Sequence, residues 1–149
     1  MDYEKKARDV LHDHNLKATR PRVRILAYLM SHHDHPTVEM LNAAINDDQK
    51  KLATIYNTLN SLEEIGVVIE IKNGDNSTHY DYFEKPHFHI ICTNCGTISD
   101  VFYPNFGQIK QQMQNEARSQ TGYTISRSHV EMYGLCPNCQ RKLATQKEA

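Results

Sequence analysis

Apolar residues recur every three or four positions through four stretches in the first half of the chain. Residues at this spacing share one face of a helix, so the pattern predicts four amphipathic helices. The first begins near Tyr3, the second follows a capping residue and a proline at Thr19 and Pro21, and the third follows Thr37. The fourth is expected to end at Gly66, because glycine commonly terminates helices. Its apolar face comprises Leu52, Ile55, Leu59 and Leu62.

Two short predicted strands follow the helices. Val67–Lys72 and Thr78–Phe83 flank Asn73-Gly74, a dipeptide that favours the tight turn of a hairpin. Helices followed by a two-stranded wing are typical of a winged helix-turn-helix domain.

The pattern changes near Lys85-Pro86, where short strands begin to alternate with a helix. The expected elements are strands His87–Cys92 and Thr97–Val101, a helix Phe106–Ala117 with Phe106, Ile109 and Met113 inward, and a long strand Tyr123–Tyr133. We therefore predict an α+β protein, with a winged helix-turn-helix domain in residues 1–84 and a small α/β domain in residues 85–149.

Composition limits the possible functions. The 17 Lys and Arg residues balance 18 Asp and Glu residues, and the formal net charge of −1 excludes a purely non-specific polycation that binds nucleic acid. No apolar stretch is long enough to span a bilayer, and the first residues lack the apolar segment of a signal peptide. We therefore expect a cytoplasmic protein with no membrane partner. The 9 His and 4 Cys residues, in contrast, point to metal binding.

The four cysteines form two C-x2-C pairs, Cys92 with Cys95 and Cys136 with Cys139, each shortly after a predicted strand. Such a turn brings two sulfurs together, and two such turns complete a tetrahedral all-sulfur site for a structural Zn²⁺. In a reducing cytosol, metal binding is favoured over disulfide formation. The alternatives are buried free thiols and a thioredoxin-like redox pair, which typically has one C-x-x-C motif at a helix start.

Histidine and aspartate residues suggest a second metal site. One residue separates His87 from His89, so on a strand their imidazoles project from one face about 7 Å apart and can bind one ion. If Asp81, Asp100 and His35 converge on them, the set suits Fe²⁺, Mn²⁺, Co²⁺ or Zn²⁺. Each residue could instead be an ordinary surface or core group. Three further histidines are competing candidates that spacing does not rank: His32, His33 and His79.

The polar face of the fourth predicted helix suits DNA recognition. Asparagine can bond adenine, and the methyl group of threonine can pack on that of thymine. This face carries Thr54, Asn57, Thr58 and Ser61, with Tyr56 beside it and Lys50 and Lys51 at the helix start. Basic residues cluster near the start of the second helix, where DNA phosphates lie in helix-turn-helix complexes: Lys17, Arg20, Arg22 and Arg24. The alternative is a solvated polar face on a bundle helix.

Three motifs together resemble the ferric uptake regulator family of metal-dependent bacterial repressors, over essentially the whole chain. They are Ala53-Thr54-Ile55-Tyr56-Asn57-Thr58-Leu59, His87-x-His89-x-x-Cys92-x-x-Cys95-Gly96 and Cys136-x-x-Cys139. The chain is most similar to the peroxide-sensing branch, because iron sensors usually have glutamate in place of Asp100 and often arginine in place of Asn57. The resemblance implies a C-terminal dimerisation domain, a structural zinc on the four cysteines, and a regulatory Fe²⁺ or Mn²⁺ on His35, Asp81, His87, His89 and Asp100.

The resemblance also implies a function. We expect a homodimeric repressor of double-stranded palindromic operator DNA that senses hydrogen peroxide when bound Fe²⁺ promotes oxidation of His35 or His87. Peroxide would be its only small-molecule substrate. The expected DNA-binding residues are Lys17, Arg20, Arg22, Thr54, Tyr56, Asn57 and Thr58. The nearest alternative is an uptake repressor that responds only to the level of iron, zinc or manganese. A mononuclear iron enzyme and a thiol oxidoreductase are less favoured, because no catalytic motif accompanies the ligands, and we do not expect an enzyme.

Overall fold

A computed structural model of the chain describes residues 2–45, 52–72, 77–83 and 85–148. The chain divides into two compact units, Met1–Glu84 and Lys85–Ala149. The predicted helix start at Lys50 and Lys51 and the predicted turn at Asn73-Gly74 lie outside the described residues. Within the described part of the chain, no helix combines the length and the apolar character needed to cross a membrane.

The first unit contains four helices and a hairpin, as the hydrophobic pattern predicts. They are α1 (Tyr3–Asp13), α2 (Arg20–Ser31), α3 (Val38–Ile45), α4 (Leu52–Glu64), β1 (Val68–Lys72) and β2 (Thr78–Tyr82). The predicted caps are confirmed: Thr19 accepts a hydrogen bond from the backbone N–H of Arg22, and Thr37 accepts one from Met40. Gly66 follows α4 with a φ of +80°, a left-handed conformation that glycine adopts readily.

The core of the first unit lies among its helices. Leu26 of α2, Leu41 of α3 and Leu59 and Leu62 of α4 are fully buried in one cluster. Burial of each such side chain contributes about 1.5–3 kcal/mol to folding. Strands β1 and β2 pair in antiparallel fashion beside this core. Leu52, which the pattern placed on the apolar face of α4, is instead exposed, because it lies in the first turn before that face reaches the core.

The second unit contains a three-stranded sheet and two helices. Its elements are β3 (Phe88–Cys92), β4 (Ile98–Val101), α5 (Phe106–Thr121), β5 (Glu131–Gly134) and α6 (Pro137–Glu148). Strand β3 is central, antiparallel to β4 and parallel to β5. In this register His89 lies opposite both Asp100 and Glu131. The mixture of helices and small sheets confirms the predicted α+β class.

Two predictions for the second unit were wrong, and one of its helices was not predicted. The long strand Tyr123–Tyr133 is reduced to Glu131–Gly134, because only this part pairs with β3. Met113, expected inward, is 57% exposed, whereas Phe106 on the same predicted face is buried and its ring lies beside that of Phe88. The pattern also gave no sign of α6, which starts between the last two cysteines and carries few apolar residues.

Candidate metal centres and DNA-facing surface

The four cysteines of the second unit lie together. Cys92 ends β3, Cys95 lies in the turn that follows, and Cys136 and Cys139 lie at the start of α6. All four sulfurs are within 4.8 Å of one another, and none forms a disulfide. The Sγ atoms of Cys95 and Cys136 are 3.8 Å apart. A tetrahedral Zn²⁺ with Zn–S bonds of about 2.3 Å requires sulfurs about 3.8 Å apart, so the cluster fits zinc.

Hydrogen bonds from the surrounding chain favour the ionised form of Cys92 and Cys95. Cys92 Sγ accepts the backbone N–H groups of Cys136 and Cys95, both at 3.4 Å. These bonds lower the pKa of Cys92 to about 6, and the Cys136 N–H has the larger effect. Asn94 Nδ2 donates to Cys139 Sγ at 3.2 Å, and the Thr97 hydroxyl lies 3.0 Å from Cys95 Sγ. At Cys139 the bond from Asn94 lowers the pKa, but hydrogen bonding to the neighbouring thiols and burial raise it to about 11. Because the thiolate is the form that binds metal, these donors prepare the cluster for Zn²⁺.

The second pair of cysteines does lie at a helix start, a feature that the sequence analysis attributed to thioredoxin-like redox pairs. Pro137, between Cys136 and Cys139, is the first residue of α6. The sulfurs of both pairs nevertheless form a single group. Four thiols around one point are the ligand set of structural zinc, whereas a redox pair needs only two.

In the first unit, His35 faces Asp81. His35 lies in the turn before Pro36, and Asp81 lies in β2. His35 Nε2 is 3.9 Å from Asp81 Oδ2, and both side chains are buried. The backbone N–H of Tyr80 donates to the carbonyl of Pro36 at 2.9 Å, which fastens this turn to β2. A buried carboxylate oxygen beside an imidazole nitrogen offers two of the donors that Fe²⁺ and Mn²⁺ accept.

In the second unit, two histidines face one carboxylate. Asp100 Oδ1 is 3.2 Å from His89 Nε2 and 3.7 Å from His87 Nε2. The rings of His87, just before β3, and of His89 are edge to face with centroids 4.8 Å apart, so the two imidazoles lie next to each other. His87 Nδ1 donates to the carbonyl of Lys85 at 2.7 Å. In the neutral imidazole this leaves Nε2 as the unprotonated nitrogen that can bind a metal.

The three competing histidines occupy other surroundings. His79 Nδ1 donates to the carbonyl of His35 at 2.6 Å. His32 is exposed and stacks on Tyr28 with centroids 4.0 Å apart, and His33 is exposed. Among the described residues, none of the three belongs to a group of at least three side chains able to hold a metal.

The exposed face of α4 carries part of the predicted DNA-binding set. Thr54 and Asn57 are exposed, and Tyr56 is 45% exposed. Thr58 differs from the prediction: it is buried, and its hydroxyl donates to the carbonyl of Thr54 at 2.7 Å. Its polar group is satisfied within the helix, a common use of threonine there, so the spacing of the helix alone assigned it to the wrong face.

Basic residues cluster near the start of α2. Lys17 and Arg20 are exposed, and Arg22 is partly buried, with its guanidinium donating to the carbonyl of Lys17 at 2.9 Å. Arg20 and Arg24 also line an open groove of about 550 Å³ between α1 and α2. Arg8 of α1 lines this groove too, although nothing in the sequence spacing associates α1 with the start of α2.

Comparisons of the sequence with known proteins agree with the resemblance noted above. Residues 13–133 match the sequence profile of the Ferric uptake regulator family. The peroxide-responsive repressor PerR of Staphylococcus saprophyticus is 35% identical over 134 residues, covering 89% of this chain and 88% of that protein. The PerR of Staphylococcus aureus strain USA300 is 37% identical over 129 residues, covering 85% of this chain and 84% of that protein.

Solved structures of regulators of this kind are similar to the chain. The Campylobacter jejuni peroxide stress regulator superposes with a TM-score of 0.63 at 34% identity, covering 88% of this chain and 97% of that one. The Helicobacter pylori ferric uptake regulator gives a TM-score of 0.64 at 23% identity, covering 93% of this chain and 91% of that one, which shows a common fold. The chain therefore carries the ligands for a structural Zn²⁺ and for a regulatory Fe²⁺ or Mn²⁺, and it belongs to the ferric uptake regulator family.

Proposed function

We propose that the chain is a metal-dependent repressor that binds palindromic double-stranded operator DNA as a homodimer in the cytoplasm. It releases the DNA when hydrogen peroxide oxidises a ligand histidine. The observation that carries the proposal is the contact of three buried imidazoles with two aspartates: His35 with Asp81, and His87 and His89 with Asp100. Such groups are costly to bury unless a cation or proton compensates the carboxylate charge.

We infer that these five residues serve one Fe²⁺ or Mn²⁺ ion. Three imidazole nitrogens and two carboxylates are a mixed donor set that suits either metal. The ion then favours the form that fits the operator, to the extent that it binds this form more tightly than the others.

Peroxide sensing depends on the ligand imidazoles. His35, Asp81, His87, His89 and Asp100 would hold Fe²⁺, which would catalyse cleavage of the O–O bond of peroxide beside these rings. In the net reaction a ring C–H bond of His35 or His87 becomes a C–O bond, the ring gives up two electrons, and the second peroxide oxygen leaves as water. His87 is held for this role by its hydrogen bond to the Lys85 carbonyl, which keeps Nε2 towards Asp100. The oxidised ring is a poorer ligand, so the metal leaves and operator affinity falls.

The DNA-binding surface would be the exposed face of α4 together with the basic cluster of α2. Asn57 has the amide donor and acceptor that recognise adenine in the major groove, and Thr54 and Tyr56 flank it. Lys17, Arg20 and Arg22 would contact phosphates. Because the net charge is −1, affinity depends on these local contacts and on two copies binding together.

Exposed apolar side chains of the second unit support a homodimer. Phe102, Met113, Met132 and Tyr133 are each more than half exposed, although the unit buries few apolar residues of its own. Large exposed apolar groups favour coverage of a surface by another chain. A second copy of the same unit accounts for them and gives the two DNA-reading helices that a palindromic site needs.

The proposal is tested by DNA binding with each metal before and after peroxide. The DNA is selected from a random pool by the Mn²⁺-loaded protein, and binding is followed by fluorescence anisotropy. The Fe²⁺ form should lose its affinity after peroxide, and mass spectrometry should find one added oxygen on His35 or His87. The Mn²⁺ form should keep its affinity.

Matched variants assign the effect to residues. His87→Ala should abolish the dependence of DNA binding on metal, whereas His33→Ala, which changes an exposed histidine outside the site, should leave it intact. If the Fe²⁺ form survives peroxide with no oxidised histidine, peroxide sensing is wrong and a repressor that responds only to metal level remains. If metal does not affect DNA binding at all, the whole proposal fails.

A further inference from the structure

We propose that His79 is a positioning residue, which holds the backbone of His35 so that its imidazole faces Asp81. The proposal rests on the proposed function, in which His35 is a metal ligand. The proposal gives His79 a role other than metal ligand, whereas spacing alone left His79, His32 and His33 as equal candidates for a ligand.

The backbone of His35 needs support. His35 has a φ of +49°, in the left-handed region that residues other than glycine rarely adopt. It also precedes Pro36, and a residue before proline prefers extended backbone. A conformation of this kind persists only where surrounding contacts impose it.

Strand β2 supplies those contacts from consecutive residues. His79 Nδ1 lies 2.6 Å from the carbonyl oxygen of His35, and the backbone N–H of Tyr80 donates to the carbonyl of Pro36 at 2.9 Å. Asp81 follows, with its carboxylate 3.9 Å from His35 Nε2. Residues 79 and 81 share one side of the strand. His79 therefore fixes the main chain of His35 beside the carboxylate that its ring must face.

The hydrogen bonds also define the tautomer of His79. A carbonyl oxygen only accepts, so Nδ1 of His79 carries the proton and donates. In the neutral ring Nε2 is then the acceptor, and it lies 3.2 Å from the hydroxyl of Ser77. Both ring nitrogens are thus engaged within the first unit. Contacts that orient a metal ligand commonly change metal affinity about ten- to a hundredfold when they are removed.

The experiment measures Mn²⁺ binding to the full-length, zinc-loaded protein by electron paramagnetic resonance of the free ion. His79→Phe keeps a ring but removes the donor, and it should weaken Mn²⁺ binding about ten- to a hundredfold. His79→Asn places an amide N–H where Nδ1 was and should restore most of the affinity. His79→Gln places its amide one bond further out and should rescue poorly. Ser77→Ala, which leaves the Nδ1 bond in place, is the matched control and should bind nearly as wild type.

Each other outcome overturns the idea. Wild-type affinity in His79→Phe would exclude a positioning role. Equal weakness in His79→Asn and His79→Phe would indicate a direct ligand. Should His79→Phe fail to fold, the comparison of His79→Asn with His79→Gln decides in its place. His35→Ala separates the two proposals: if it leaves Mn²⁺ affinity unchanged, the proposed site itself is wrong, whereas weakening in His35→Ala but not in the His79 variants refutes only the positioning role.

Discussion

Removal of the zinc should unfold the second unit and leave the first one folded. The perturbation is Cys139→Ser, which replaces a buried sulfur that lies with the other three sulfurs within 4.8 Å. A serine hydroxyl is a poor ligand for Zn²⁺ in a site built from thiolates, so the metal should be lost.

The expected magnitude follows from the small core of this unit. Among the described residues from 85 onwards, the buried apolar side chains other than cysteine are Ile91 and Phe106. Together they contribute about 3–6 kcal/mol on burial. A structural zinc contributes about 10–16 kcal/mol in small zinc domains, which matches or exceeds the stability of a typical domain at about 5–15 kcal/mol. The loss of zinc therefore removes most of what holds this unit together.

Amide hydrogen exchange followed by mass spectrometry resolves the two units. In Cys139→Ser, peptides covering β3, β4 and β5 should lose protection, whereas peptides covering α2 and α4 should keep it, because the core of the first unit contains none of the cysteines. Ser99→Ala, an exposed change within β4, is the matched control and should retain both zinc and protection. A zinc-free protein with protected β3 amides would refute the reasoning.

Three further outcomes follow from the structure. Leu59→Ala should lower the free energy of unfolding by about 2–5 kcal/mol in urea titrations. Asn57→Ala, on the exposed side of the same helix, should change that free energy by under about 0.5 kcal/mol and weaken DNA binding by about 1–3 kcal/mol. Equal effects of the two variants in both assays would contradict the assignment of the two faces. Asn94→Leu removes the donor to Cys139, so zinc transfer to a chelator should be roughly two- to tenfold faster, and an unchanged rate would exclude a role for this bond. Burial, with Glu63 nearby, raises the pKa of Tyr80 to about 12. The folded state therefore favours the neutral phenol, and the free energy of unfolding should fall as the pH rises from 10 to about 12. Tyr80→Phe should lose this part of the decline, and an identical decline in both proteins would refute the role of Tyr80.

The sequence predicted most of the first unit because its signals are local. Thr19 and Thr37 cap helices through bonds to residues three positions away, and the apolar spacing of Leu59 and Leu62 reports which side of α4 faces the core. Thr58 shows the limit of this argument. It lies next to Leu59, and its hydroxyl donates to a carbonyl of the preceding turn, so this polar side chain is buried with its hydrogen bond made. The exposed polar face of α4 is therefore narrower than the residue types suggest.

The second unit was harder to predict because a local pattern does not determine whether a segment finds a packing or pairing partner. Met113 continues a helical apolar stripe but is exposed, and the segment before Glu131, predicted as strand, pairs with no strand in the described part of the chain. The spacing of Cys136 and Cys139 predicted the metal group but gave no indication of α6. The ligand pair occupies the positions where apolar periodicity would otherwise indicate the start of a helix. Asn94 and Thr97 left no signal at all, because side-chain donors to sulfur have no characteristic spacing.

Strand β3 contributes residues to both candidate metal sites. His87, just before β3, and His89, within it, are buried. Ile90 is 40% exposed, so at these positions polar side chains are buried and an apolar one is exposed, the reverse of the usual amphipathic pattern. Its last residue, Cys92, is a zinc ligand that accepts a backbone hydrogen bond from Cys136. The zinc group thus fixes the end of the strand whose register sets His89 opposite Asp100. The two ligand sets are therefore coupled through β3, and because such coupling is reciprocal, metal binding at either set should favour binding at the other.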